Sequence, residues 1–271
     1  MMAHLDKQQF GPWALVTGAS SGIGREFARQ IAASGINVVL VARREALLTQ
    51  AGDEFSKAYG IEHRVVVADL SVDGFMNTII PATHDLDIGL VISNAGTASP
   101  GEFLGHDRDE LVGLLRLNAQ SQLDIAYHFG QRLAKRRRGG IVLGGAMGAV
   151  GGIPYLAVES GTKSFVQSFG EALHVELGPM GVNVTVLVVP PTKTAIIDKF
   201  GLDPASMPMK PMSVEQCVYE GLHALTRNRS TCLPGRVNRV MKALIPASLA
   251  RAMMGNMLAK ALLARARPAT A

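Results

Sequence analysis

Short runs of β-branched and aliphatic residues alternate along the chain with longer stretches whose apolar positions recur every three to four residues. The first pattern is that of a buried strand and the second that of an amphipathic helix. Strands are predicted at 13–17, 36–42, 62–67, 89–93, 140–143 and 182–188, with a short seventh at 230–233. Helices are predicted at 23–34, 44–59, 71–83, 107–138 (as two helices), 156–177 and 213–227. Each connection is long enough for a right-handed crossover, so the pattern reads as an α/β fold. It is a doubly wound parallel sheet of about seven strands, with helices on both faces, in a single domain. Beyond Pro234, residues such as Met241, Leu244, Leu249, Met253, Leu258 and Leu262 keep helical spacing, with Pro246 dividing them. This stretch is predicted to be two amphipathic helices, a 234–271 extension packed on a 1–233 body.

Composition narrows the classes. Of 271 residues, 48% are hydrophobic and only 18% charged, which supplies a sizeable core and excludes wholesale disorder. Cys217 and Cys232 are the only cysteines, too few for a disulfide scaffold, and the histidines are scattered without metal-ligand spacing. No uncharged apolar run approaches the roughly 18 residues of a spanning helix, and residues 1–9 lack a secretory signal's apolar stretch, so a cytoplasmic protein is expected. The net charge of +5 is uneven: nine basic residues and no acid follow Glu220, leaving a net −4 on the rest. A basic amphipathic tail packs over a pocket, meets another subunit or, in the weaker reading, touches a membrane surface. The run Lys135-Arg136-Arg137-Arg138 reads as a solvated helix end, not a nucleic-acid patch.

Chemistry enters directly after the first strand. There Thr17-Gly18-Ala19-Ser20-Ser21-Gly22-Ile23-Gly24 opens a helix, and its glycines let the backbone turn and approach a pyrophosphate at the positive end of the helix dipole. Four further motifs follow in order: Asp69-Leu70, Ser93-Asn94-Ala95-Gly96, Leu117-Asn118-Ala119-Gln120-Ser121 and Ser160-Gly161-Thr162-Lys163. Together they resemble the classical short-chain dehydrogenase/reductase family, through nearly the whole chain up to Thr194. The resemblance implies a Rossmann-type sheet, oxidoreductase activity on a small molecule, and a homodimer or homotetramer built on two long helices. It also implies roles. Gly18, Ser20, Ser21, Gly22, Ile23 and Gly24 would cradle the nucleotide phosphates, and Asp69, with Leu70, would contact the adenine. Asn94, Ala95 and Gly96 match the family's sheet-stabilising motif, Asn118 would hold a proton-relay water, Lys163 the ribose, and Thr192 and Thr194 the carboxamide end.

Cofactor choice follows from charge. A carboxylate ending the second strand would repel a 2′-phosphate, yet none occurs from Phe27 to Arg44, where the strand ends Val41-Ala42-Arg43-Arg44. Guanidinium forks suit phosphate, so NADP(H) is expected, with Arg43 and Arg44 as ligands and Arg25 as a third charge.

The catalytic segment departs from the family. Aligned on Lys163, Glu159 replaces the proton-donating Tyr, and thirteen residues upstream Ala146 replaces the Ser that bonds the substrate oxygen. An ammonium beside Glu159 would keep it ionised. An anion about 4 Å from a nascent alkoxide opposes it by roughly 4 kcal/mol at an effective dielectric of 20, or about a thousandfold in rate. An iminium needs no acid, so the expected reaction is NADPH-dependent hydride transfer to a C=N bond, an imine reductase with Glu159 as counter-ion or proton donor. Two alternatives stand beside it. Tyr155 could supply the acid for a carbonyl reductase. Glu159 and Lys163 could also merely neutralise each other as an i, i+4 pair worth roughly 0.2–0.5 kcal/mol, in a silent NADP(H)-binding protein. Ala146, Met147 and Pro190 are expected to line the substrate pocket, and Met207, Met209 and Met212 in the 192–212 segment suggest an apolar or cyclic substrate.

Overall fold

The computed structural model of the chain describes residues 4–147, 151–200 and 210–266. Strands β1 (Trp13–Thr17), β2 (Asn37–Ala42), β3 (His63–Val67), β4 (Ile88–Ser93), β5 (Gly139–Ala146), β6 (Val182–Val189) and β7 (Thr231–Cys232) form one parallel sheet. Their order is 3-2-1-4-5-6-7, so the winding direction reverses between β1 and β4 and opens a crevice at the carboxyl ends of the strands. The helices are α1 (Lys7–Phe10), α2 (Gly22–Ala33), α3 (Glu45–Tyr59), α4 (Met76–Thr83), α5 (Arg108–Leu115) and α6 (Ser121–Arg136). They continue with α7 (Ala157–Leu177), α8 (Ala195–Phe200), α9 (Val214–Thr226), α10 (Arg236–Leu244) and α11 (Ala247–Ala266).

Two-residue alternation along the strands divides the core between the two faces. Ala14, Val16, Val38 and Leu40 pack with Phe27 of α2, Phe55 of α3 and Leu222 of α9. Leu15, Val39 and Val41 point the other way, towards Ile79 of α4, Phe129 of α6 and Val166 of α7.

Departures from the sequence pattern have local causes. The helix predicted from residue 71 begins at Met76, because Asp69 Oδ1 accepts from Ser71 N (2.9 Å) and Oγ (2.6 Å), and Gly74 sits at φ +78°. These bonds make a turn, and the helix starts after it. β5 runs three residues beyond its predicted end, since β6 pairs with it residue for residue up to Ala146 and Val189. That brings Ala146 to the crevice edge. The stretch 107–138 is α5 and α6 joined without a break by a π turn, Arg116–Gln120, an irregularity that often marks functional sites. α1 is only four residues long, too short for a periodic signal, and is capped by Asp6 accepting from Gln8 N at 2.8 Å.

The tail folds back. Leu258 of α11 is fully buried with Ala98 and Leu156, and Gly255 lies so close to Pro154 that a Cβ there would stand 2.8 Å from the ring. Among the described residues no helix is long and apolar enough to cross a membrane.

Candidate active site

Six strand ends converge on one cavity of about 570 Å³. Its first end is the turn from β1 into α2. Gly18 takes φ +68°, and a Cβ on Gly24 would stand 2.2 Å from the Gly18 carbonyl oxygen, so only glycine lets α2 begin this close under the strand. Ser20, Ser21, Gly22 and Ile23 line the cavity, whereas Gly24 stands behind them. Arg44 closes this end by donating from one nitrogen to Ser20 Oγ and Ser21 Oγ, each at 2.9 Å. A guanidinium and two hydroxyls thus converge where a phosphate can be bound. Arg43, largely exposed, lies 3.8 Å from Asp69. Burial alone would raise the Asp69 carboxyl, but hydrogen bonds from Ser71 and the Arg43 charge hold it below its ordinary range. Arg25 does not join them, a correction to the sequence reading. It pairs with Glu54 at 2.5 Å and lies over the Phe55 ring, outside the cavity.

The floor is set by β4. Thr17 Oγ accepts from both Asn94 N and Ala95 N at 3.0 Å and donates to the Ile92 carbonyl at 3.3 Å, tying the end of β1 to the end of β4. Leu70, Asn94, Ala95 and Gly96 line the cavity beside it. Asn118 is fully buried and does not reach the cavity wall. Its amide is engaged by Thr97: Oδ1 accepts from Thr97 N and Nδ2 donates to Thr97 O, both at 2.9 Å. The Asn118 side chain thus holds the backbone of the loop after β4.

Gln122 was not singled out by the sequence reading. It donates to Asn118 O at 3.1 Å and brackets Gly144, accepting its N–H at 3.1 Å and donating to its carbonyl at 3.2 Å. Its place one turn after Asn118, polar on a buried face, is the signal that could have found it.

Lys163 is buried and donates to the same Gly144 carbonyl at 2.6 Å. Desolvation lowers it to about 8, and the neighbouring Glu159 partly offsets that fall. Glu159 stands in the first turn of α7. Its Oε2 is buried without a hydrogen-bond partner among the described residues, so the self-neutralising Glu159–Lys163 pair is not formed by a hydrogen bond to that oxygen. Burial raises the carboxyl to about 7, against the opposing pull of Lys163 and Lys199. Burial thus works against the ionised form that the sequence reading expected, while the two ammonium groups work for it. Lys199 reaches in from α8 and donates to Thr97 Oγ at 2.7 Å.

Ala146, Met147 and Pro190 line the cavity as predicted, together with Thr192 and Thr194. Thr192 Oγ donates to the Pro190 carbonyl at 2.8 Å, and Thr194 Oγ to the Thr192 carbonyl at 3.3 Å. Met212 packs against the core, while Met207 and Met209 lie outside the described residues. Tyr155 is a further correction. Held at φ +66° ahead of α7, it does not line the main cavity but a small neighbouring pocket, with Ser99, Phe103, His106 and Glu159, the last of which lines both. The far wall, formed by Ile153, Leu156, Phe200 and the α11 residues Ala250, Arg251, Met254 and Leu258, was not assigned residue by residue from the sequence.

A family model described as short chain dehydrogenase matches residues 12–204. The chain belongs to the short chain dehydrogenase family. Among its relatives, a very-long-chain 3-oxoacyl-CoA reductase of Meyerozyma guilliermondii is 36% identical over 211 residues, 73% of this chain and 61% of that protein. The chain thus spans less than two thirds of the length of that reductase. A 7beta-hydroxysteroid dehydrogenase of Collinsella aerofaciens is 28% identical over 236 residues, 86% of this chain and 89% of that one. The solved structure of a short-chain dehydrogenase from Sphingobium yanoikuyae in complex with NADPH superposes with a TM-score of 0.77 at 28% identity, covering 96% of this chain and 98% of that one. The seven-stranded parallel sheet, with its crevice at the strand ends, accompanies this family match.

Proposed function

We propose that this short chain dehydrogenase exchanges a hydride between NADP(H) and the carbonyl carbon of an apolar ketone, with Glu159 giving and taking the proton. The observation that carries this reading is the environment of Glu159, a carboxyl on the cavity wall with one dry oxygen, raised to about 7. Such a group carries its proton in about half the molecules at neutral pH and is poised for general acid–base work. The fixed anion that disfavoured carbonyl chemistry is therefore relieved.

The residues present fit NADP(H). Arg44 with Ser20 and Ser21, and Arg43 beside them, suit a 2′-phosphate, while the glycine cradle at the start of α2 leaves room for the pyrophosphate. When bound, the nicotinamide supplies or accepts the hydride. Lys163 orders the Gly144 carbonyl and keeps a positive charge near Glu159, which eases departure of the proton. The names of the two relatives, an oxoacyl-CoA reductase and a hydroxysteroid dehydrogenase, both denote carbonyl and hydroxyl chemistry on apolar skeletons. A homodimer or homotetramer through α6 and α7 is supported by the apolar side chains they leave exposed, among them Leu123, Tyr127, Phe165 and Val175.

A second reading, reduction of C=N bonds, is favoured by one observation. Ala146 ends β5 at the cavity wall without a hydroxyl, so a nascent alkoxide would lack the second donor that an iminium does not need. The test is NADPH oxidation, followed by loss of nicotinamide absorbance, on matched cyclic ketones and imines across a range of pH. Ketone turnover that falls above about pH 7 supports the proposal. Turnover of imines alone would transfer the assignment to the second reading. Silence towards both, with NADPH still bound, would refute both and leave a catalytically silent nucleotide-binding protein.

A further inference from the structure

The far end of the cavity is apolar apart from one cation. Ile153, Ile196, Phe200, Met254 and Leu258 form its walls, and Arg251 of α11 stands among them. Its guanidinium lies over Gly151, where a Cβ would meet Nη2 at 3.7 Å and Nε at 3.9 Å. Among the described residues Arg251 has no hydrogen bond or ion pair. The chain offers no acid after Glu220, and Glu220 is engaged by Arg239 at 3.0 Å and by the Gly235 N–H at 3.0 Å. The two acids with described side chains on the cavity wall are committed elsewhere. Asp69 is held by Ser71 and Arg43 at the nucleotide end, and Glu159 faces Lys163 and Lys199.

We propose that Arg251 binds a carboxylate on the substrate, which makes the substrate class an apolar ketone bearing that carboxylate at the end remote from the reacting carbon. The proposal rests on the hydride-transfer reading above for the reaction, though not for the binding. A guanidinium presents a planar pair of donors that matches a carboxylate, and Arg251 is exposed, so a carboxylate can reach it from solvent. A single cation suits a monoanion, in contrast to the nucleotide end, where two arginines and two hydroxyls gather as a dianionic phosphate requires. Gly255 against Pro154 and the burial of Leu258 fix α11 to the body, so the helix that carries Arg251 is held at the wall.

The test is calorimetric titration of the full chain, saturated with NADP⁺, with dodecanoate and with dodecanol as probes. Dodecanoate is expected to bind about tenfold more tightly than dodecanol, as a charge-assisted hydrogen bond predicts, and added KCl should narrow the gap. Arg251→Met should abolish the preference while leaving dodecanol binding unchanged, and Arg251→Lys should retain part of it. Equal binding of the two probes by the unmodified chain, or a preference that survives Arg251→Met, overturns the proposal. The readout is independent of turnover: an intact preference without ketone reduction would sink the reaction and keep the anchor, and the reverse would sink the anchor alone.

Discussion

Substituting Glu159 by Gln keeps the volume of the side chain and removes its transferable proton. Burial lifts the carboxyl from its ordinary 4.5 to about 7, which corresponds to roughly 3 kcal/mol held against the ionised form. Ketone reduction needs the protonated carboxyl, so kcat should be level below about pH 6 and fall nearly tenfold per pH unit above about 8. Alcohol oxidation needs the carboxylate and should rise over the same interval. Loss of a positioned general acid costs about a hundredfold to ten-thousandfold, or roughly 3–5 kcal/mol of barrier. Glu159→Gln should therefore lower kcat by that factor and erase the limb near 7, because an amide can hydrogen-bond an alkoxide but cannot protonate it. The assay is steady-state kcat with saturating NADPH and ketone at constant ionic strength, from about pH 5 to about pH 9. Lys163, brought down to about 8 by desolvation, titrates close by. A limb near 8 that persists in Glu159→Gln would belong to the lysine. Retention of more than about a tenth of the activity, with the limb near 7 unchanged, would show that the proton comes from another group and would refute the reasoning.

Arg44→Ala should weaken NADPH binding by about tenfold or more while barely moving NADH, since it removes a charge-assisted contact to the 2′-phosphate; nucleotide fluorescence titration measures both. Gly24→Ala drives a methyl to 2.2 Å from the Gly18 carbonyl oxygen and should cost about 1–3 kcal/mol in urea unfolding, whereas Gly113→Ala on α5, with open space around it, should be neutral or stabilising. Ala146→Ser should move the pH limb of ketone reduction below about 7, because a hydroxyl facing the cavity stabilises the ionised carboxyl; an unmoved limb would mean that residue 146 does not sense Glu159.

The strands were legible because the two patterns, alternation and unbroken apolar runs, carry the burial directly: Val38 to Val41 divide between the two faces as a doubly covered strand must. The nucleotide end was legible too, since the Gly18 to Gly24 spacing and the Arg43-Arg44 pair are local features. What failed were partnerships between residues distant in sequence. Arg25 looked like a phosphate ligand until α3 brought Glu54 against it. The two bonds between the Asn118 amide and Thr97 depend on how the loop after β4 meets the π turn, which no spacing announces. Tyr155 stands at the expected place along the chain but lines a small pocket beside the main cavity, which it shares with Glu159, after a backbone turn through positive φ. The burial of Glu159 Oε2 arises from elements that meet only in the folded chain, and no spacing in the sequence encodes it.

The burial of Glu159 Oε2 bears on both positions, 159 and 146, at which the sequence reading departs from the family's pattern. A phenol starts near 10 and needs a neighbouring cation to bring it towards neutrality, while a carboxyl starts near 4 and needs loss of water to bring it up. Lys163 serves the first purpose and opposes the second, so a glutamate at position 159 works as an acid only where desolvation outweighs the ammonium. Burial raises the Glu159 carboxyl to about 7 against the pull of Lys163 and Lys199, which is the direction that role requires. Ala146 lines the same cavity and brings no hydroxyl to it, so it adds no side-chain donor that would favour the ionised form. Lys163 is then kept for its other contacts: it bonds the Gly144 carbonyl that Gln122 also brackets, and so fixes the end of β5 on which the cavity wall depends.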